Sequence, residues 1–277
     1  MSNTKPDQAQ KADQFRALHH SDKLLLLPNV WDYVSTKLIT KLNFPAIGTA
    51  SIATAISNGY PDGEHIPFPR LLEVVRKITA AADYLPVTVD IERGFSDSIN
   101  KLEENIAALI ETGIVGINIE DSNVNHSDLL HIKEQCKKIA TIRKVANDLG
   151  VHLFINARTD VYFNPDIKNP VEEVLIRAEA YADAGADCIY PILVKTYEEV
   201  EEITEKSPLP INVLLLESIR DLQRLQAAGV ARVSLGPLLF SLALTKIRDS
   251  AAALKQHKTE DLFDGELLSY ESLHNLL

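Results

Sequence analysis

Short runs rich in Leu, Ile and Val alternate along the chain with longer stretches whose apolar residues recur at helical spacing. The short runs read as β-strands: "LLLLPNV" from Leu24, "AIGTAS" from Ala46, "PVTVDIE" from Pro86, "GINIED" from Gly116, "HLFINARTD" from His152, "CIYPILV" from Cys188, "INVLLLE" from Ile211 and "RVSLGP" from Arg232. Between them lie amphipathic stretches such as "SINKLEENIAALIETG" and "PVEEVLIRAEAYADAG", each ending in Gly where a helix needs a left-handed residue to stop. Strand and helix in strict alternation imply parallel pairing, and eight such units predict a closed (β/α)8 TIM barrel. An open α/β sheet is the lesser alternative. No G-x-G-x-x-G follows a strand, which removes the dinucleotide-binding version of it.

The length of 277 residues fits one such barrel, which takes roughly 250. Residues 1–277 therefore read as a single barrel domain. Segment 1–22 looks like an N-terminal addition and 258–277 like a C-terminal tail. No apolar run approaches the roughly 20 residues that span a bilayer. The polar start "MSNTKPDQAQKADQF" lacks the apolar core of a secretory signal, so the expected location is the cytoplasm with no membrane partner. Two cysteines, Cys136 and Cys188, have no metal spacing and read as packing residues. An excess of 39 acidic over 28 basic residues, with no basic patch, argues against nucleic acid as a partner.

Parity along the strands supplies the first chemical signal. In "PVTVDIE", Val87, Val89 and Ile91 share one face, and Thr88, Asp90 and Glu92 the other. With the apolar set against the helices, Asp90 and Glu92 point to the barrel axis at the carboxyl end, where sites of this architecture lie. Glu120 repeats the arrangement in the next strand, and Asn156, Arg158 and Asp160 in the one after. Inward acids are costly unless paired, protonated or metal-bound. Oxygen-only donors suit Mg²⁺ or Mn²⁺, whereas zinc would want a His or Cys cluster. A second reading stays open beside the metal site: Asp90, Glu92, Glu120 and Arg158 as an ion-pair network closing the barrel top.

These residues sit in motifs that occur in a specific order: "LPNVWD", "GTASIATAISNGYPDGE", "VDIERGFSD", "GINIEDS", "INARTD" and "VSLGP". The series resembles the isocitrate lyase/phosphoenolpyruvate mutase superfamily, in particular its short, mutase-like members, from about Leu24 to Ser241. The resemblance implies that Asp90 is the direct Mg²⁺ ligand, with Glu92 and Glu120 acting through metal-bound waters. It implies a catalytic role for Asp62, an anion-holding role for Arg158, and a carboxylate seat at Ala50 and Ser51. In the loop where the phosphonopyruvate enzymes contact the moving group through an Asn or Thr, this chain offers only polar candidates, Asn123, Asn125 and His126, of which Asn123 is the expected substrate contact.

The superfamily's chemistry breaks a bond at C3 of a small 2-oxo acid through an enolate. Two motifs that would narrow this are absent. The K-[KR]-C-G-H loop of isocitrate and methylisocitrate lyases is replaced by "EDSNVNHSDLLHIKEQC", and Ser122 stands where the phosphonopyruvate enzymes begin a Lys-containing loop. The expectation is a C–C lyase or decarboxylase for a substrate of the oxaloacetate type. The alternatives are P–C chemistry as a phosphonopyruvate mutase or hydrolase, or a catalytically silent 2-oxo acid binding protein. Lys195, after the sixth strand run, would matter only to an imine mechanism.

The resemblance further implies a homotetramer built from dimers that exchange the helix after the last strand, here "LLFSLALTKIRDSAAALKQH". In the tail, Leu268, Tyr270, Leu273, Leu276 and Leu277 are expected on one short helix that needs a partner surface.

Overall fold

The structure, a computed structural model, describes residues 7–123, 128–263 and 266–276. In chain order it runs α1 (Gln8–His19), β1 (Leu25–Leu27), β2 (Asn29–Val30), α2 (Tyr33–Thr40), β3 (Ile47–Thr49), α3 (Ser51–Ser57), α4 (Phe68–Ala82) and β4 (Val87–Asp90). It continues with α5 (Ile99–Ile110), β5 (Gly116–Glu120), α6 (Ile132–Asp148), β6 (Phe154–Thr159), α7 (Pro170–Asp183) and β7 (Cys188–Pro191). The last elements are α8 (Tyr197–Lys206), β8 (Asn212–Leu214), α9 (Leu222–Ala227), β9 (Arg232–Ser234), α10 (Leu238–Lys255) and α11 (Tyr270–His274).

All strand pairings are parallel, but they form two sheets, β2-β3-β4-β5-β6-β7 and β1-β9-β8. The expected single closed barrel ladder is not formed. Proline explains both interruptions. Pro28 has no N–H to donate and splits the first run, so β1 pairs with β9 (Leu25 opposite Arg232) while β2 pairs with β3 (Asn29 opposite Gly48). On the other side Pro191 ends β7 and Pro210 precedes β8, leaving the isolated parallel bridge Ile189–Ile211 between them.

Alternation holds along the central strands. Val87, Val89 and Ile91, Ile117 and Ile119, and Ile155 and Ala157 are all buried in one apolar cluster with Val75 and Ile78 of α4 and Leu102, Ile106 and Leu109 of α5. Helical spacing on α5 thus meets strand spacing on β4 and β5, and each buried aliphatic side chain contributes about 1.5–3 kcal/mol.

α1 closes the amino-terminal end of β5 and β6. Asp7 caps it in a capping box with Gln10. Phe15 meets Phe154 edge-on at 5.2 Å, and His19 stacks on Phe154 at 3.9 Å. Gly116 is needed there, because a Cβ would come within 2.9 Å of Thr88 Oγ1 and 3.0 Å of Phe15 Cε1. At the other end of the chain, α10 buries only Phe240 among its residues and leaves Leu242 and Ile247 exposed at 56% and 65%. The tail helix α11 is shorter than expected: Leu268 precedes it, Leu276 follows it and is buried, and Leu277 lies outside the described residues. Among the described residues no helix is long and apolar enough to cross a membrane.

Candidate active site

A cavity of about 300 Å³ opens at the carboxyl ends of the strands, walled among others by Thr49, Ala50, Ser51, Asp62, Asp90, Glu92, Asn118, Glu120, Arg158 and Tyr190. Asp90 ends β4. Its N–H donates to Thr49 Oγ1 at 2.9 Å, and its Oδ1 accepts the Glu92 N–H at 3.1 Å. The Ser51 N–H, at the start of α3, also donates to this carboxylate. Two backbone N–H groups therefore fix the Asp90 carboxylate, and Thr49 fixes its main chain, without using a cation.

Beyond Asp90 the chain turns sharply, with positive φ at Glu92 (49°), Gly94 (103°) and Phe95 (54°). A left-handed conformation at a non-glycine costs on the order of 1 kcal/mol or more and persists only when neighbours enforce it. Glu64 does so. Its Oε1 accepts N–H groups from Arg93 (3.0 Å) and Phe95 (2.6 Å), and its Oε2 pairs with Arg93 Nη2 at 2.7 Å. The Asp62–Glu64 loop is thereby stapled to the Glu92 turn, and both acids face one cavity.

The acids on β5 and β6 are differently placed. Arg158 binds Asp160 through Nε at 2.6 Å and Nη2 at 2.9 Å, and Glu120 through Nη1 at 2.8 Å. Ser122 Oγ donates to the second Glu120 oxygen at 2.8 Å. Asp121, on the opposite face from Glu120, receives Arg177 Nη1 (2.9 Å), Tyr181 OH (2.6 Å) and the Asp160 N–H (2.9 Å). This second layer anchors β5 and β6 to α7.

Burial pushes the Asp90 carboxyl up, against the pull of Arg158 and two backbone N–H groups. It pushes Glu92 up to about 8, with Asp90 and Asp62 adding like-charge repulsion. Glu120 is also raised by burial, although Arg158 opposes this. Arg158 loses hydration on burial, yet Glu120 and Asp160 hold it charged above its ordinary value. Tyr190 is raised by burial, with Arg158 and Arg232 acting in the opposite direction. The site thus holds its positive charge firmly and its β4 negative charges poorly.

Asp62, Asp90, Glu92, Glu120, Arg158, Ala50 and Ser51 are brought together here from the sequence-derived set. The ion-pair reading describes Arg158 and Glu120, whereas Asp90 and Glu92 have no cationic partner within salt-bridge distance among the described residues. Asn123 does not line the cavity; its amide donates to Asp128 Oδ2 at 3.2 Å. Asn125 and His126 lie outside the described residues. Lys195 is exposed and away from the wall, so the imine mechanism has no lysine there. Cys136 sits on α6 with its thiol on Ala180 O at 3.3 Å, also away from the wall.

Sequence reasoning missed Thr49, Tyr190 and the Asp121–Arg177–Tyr181 cluster. Tyr190 carried a signal, since it shares the parity of Cys188 and pairs in register with Arg158. Asp121 offered none, because its partners lie more than 50 residues away on a helix.

Among the described residues no three His, Cys, Asp or Glu side chains stand close enough to grip an ion by themselves. The wall nevertheless fits a hard cation that keeps most of its water. Asp90 supplies one fixed carboxylate, and Glu92, Asp62 and Glu120 stand around it as acceptors for coordinated waters. A cation would also offset the burial, and the lesser like-charge repulsion, that raise Asp90 and Glu92.

Comparison with known proteins agrees with this geometry. The sequence profile described as phosphoenolpyruvate phosphomutase matches residues 15–255. A Mycobacterium tuberculosis protein of uncharacterised function is 33% identical over 245 residues, covering 87% of this chain and 88% of its own. The 2-methylisocitrate lyase of Bacillus subtilis is 29% identical over 216 residues (76% and 68% covered). The oxaloacetate decarboxylase of Pseudomonas entomophila is 26% identical over 264 residues (91% and 88%). A solved structure described as a candidate phosphonomutase, from Burkholderia cenocepacia, superposes with a TM-score of 0.83 at 37% identity, covering 88% of this chain and 99% of that one. A profile match over most of the length and a relative this similar lead to one conclusion: the chain belongs to the phosphoenolpyruvate phosphomutase family, within the isocitrate lyase/PEP mutase superfamily.

Proposed function

We propose that this protein is a Mg²⁺-dependent carbon–carbon lyase that decarboxylates or cleaves a small 2-oxo dicarboxylate of the oxaloacetate type. The observation that carries the reading is the asymmetry of charge in the cavity: Asp90 and Glu92 with no cation within salt-bridge distance among the described residues, and a permanently charged Arg158 lining the same space. Such a set of charges suits a chelated cation at the acids and a substrate carboxylate at the arginine. A volume of about 300 Å³ is at the small end for ligand pockets and suits a compact diacid.

Asp90 would hold Mg²⁺ (or Mn²⁺) directly, and the ion would supply positive charge where the 2-oxo acid's keto oxygen becomes negative. The chain's own residues do the rest. The Glu92 and Ser51 N–H groups hold the Asp90 carboxylate in one orientation, and Thr49 Oγ1 fixes the Asp90 main chain by accepting its N–H. Glu92, Glu120 and Asp62 accept hydrogen bonds from waters and set their orientation. Arg158 has five N–H donors, of which Asp160 and Glu120 take three, so two remain for a substrate carboxylate. Ala50 and Ser51 line the same cavity and would seat the second carboxylate.

A relative named oxaloacetate decarboxylase aligns along 91% of the chain, which favours the C–C reading. The 37% identity to the structure described as a phosphonomutase favours P–C chemistry on phosphonopyruvate as the second reading. A screen of 2-oxo acids with Mg²⁺, coupled to pyruvate detection and run beside ³¹P NMR of a phosphonopyruvate incubation, separates the two. The first reading expects pyruvate from oxaloacetate and an unchanged phosphorus spectrum. Oxalate binding with no turnover of any 2-oxo acid would leave a silent binding protein. The same family reading puts the exposed apolar side chains of α10 against a second copy, in a homotetramer of helix-exchanging dimers; a monomer in sedimentation contradicts that part.

A further inference from the structure

Cleavage at C3 leaves an electron pair that must take up a proton before the 2-oxo product departs. Among the described residues the cavity wall contains no His, Lys or Cys to deliver it. The proposed function assigns Asp90, Glu92 and Asp62 to the ion and its waters, and Glu120 is paired with Arg158, which leaves one hydroxyl-bearing aromatic. Tyr190 stands on β7 in register with Arg158, with its side chain on the same inward face, and is only 4% exposed.

Its hydroxyl donates to no other described residue. The contrast with Tyr181, whose hydroxyl is held at 2.6 Å by Asp121, is informative. A buried phenol normally finds a partner, because leaving one unmade is costly. A phenol at the cavity wall with no protein partner is available to whatever occupies that cavity.

We infer that Tyr190 is the proton donor of the reaction. Its O–H bond breaks as a C–H bond forms at C3, the enolate's electron pair takes the proton, and water entering the open cavity reprotonates the phenoxide. The inference rests on the lyase reading above and assigns the step which that reading leaves without a residue.

The test uses the full chain with Mg²⁺ and the variant Tyr190→Phe, which removes one oxygen and breaks no internal hydrogen bond. Donation run backwards is exchange of the methyl protons of pyruvate with D₂O, which ¹H NMR follows directly. The expected result is exchange slowed by about 100-fold or more, the usual scale for losing a general acid or base, with oxalate affinity within about twofold of wild type. Exchange at the wild-type rate in the variant overturns the inference while leaving the lyase reading intact. Loss of exchange together with loss of oxalate binding also overturns it, since Tyr190 would then shape the site rather than donate. A wild-type protein that neither exchanges pyruvate protons nor cleaves oxaloacetate removes the lyase reading, and this inference with it.

Discussion

The acids at the end of β4 and those at the ends of β5 and β6 come from similar strand positions but live in opposite electrostatic circumstances. Asp121 and Asp160 are buried with Arg177, Tyr181 and Arg158 already in place, and Glu120 shares Arg158 with Asp160. The Asp90 and Glu92 carboxylates are held by backbone N–H donors alone, and burial raises both. One set of carboxylates is completed by the fold. The other is positioned by the fold without a cationic partner within salt-bridge distance among the described residues, and the proposed ion would complete it.

The largest effect that sharpens this contrast is on stability. Asp121→Asn leaves the buried Arg177 guanidinium with only the half-buried Glu173 as its acid, and unfolding in urea should show a loss of about 3 kcal/mol. Asp90→Asn should show no such loss in metal-free buffer and a stability equal to or above wild type, since it removes a poorly compensated buried charge. Equal destabilisation by both variants would erase the distinction.

The next effect is on turnover. Arg158→Lys keeps the charge but cannot hold Asp160 through two nitrogens and present its remaining donors in a plane. A fall in kcat/KM of about 10–100-fold is expected, as for losing a charged hydrogen bond. Unchanged kinetics would show that the paired side of the cavity does not touch substrate.

A further effect concerns the amino-terminal end, remote from both acid sets. Burial lowers His19 to about 3, so it is neutral in the fold, while the unfolded chain protonates it below its ordinary value of 6.5. The unfolded state then binds the extra proton, and stability falls as pH drops from 6.5 towards 3. His19→Gln should flatten the pH dependence in that window by up to about 1.4 kcal/mol per pH unit. Identical slopes in the two proteins would mean that His19 is not buried neutral.

Strand parity was enough to place Asp90, Glu120 and Arg158 on one inward face, because alternation is a local property of the backbone. It did not separate the completed acids from the open ones. That distinction depends on Arg177 and Tyr181, brought to Asp121 by α7, and on which acid Arg158 selects. The break at Pro28 was visible as a residue but not as a split between two sheets, since a proline's missing donor matters only once the neighbouring strands are known. Tyr190 sits in the apolar run "CIYPILV", where its parity with Cys188 was legible but the Arg158 beside it was not, because register depends on the neighbouring strand. Glu64, which fixes the Glu92 turn, read as one more loop acid because its backbone partners lie about 30 residues on.

The central claim is that Asp90 is the point at which a divalent cation enters this fold. Electron paramagnetic resonance of Mn²⁺ titrated into the full chain in the presence of oxalate tests it directly, with Asp90→Asn beside the wild type. Loss of a direct ligand should exceed the 10–100-fold typical of outer-sphere partners. The account predicts saturable binding in the wild type and affinity weakened by more than about 100-fold in the folded variant. Equal Mn²⁺ affinity in both proteins would contradict it.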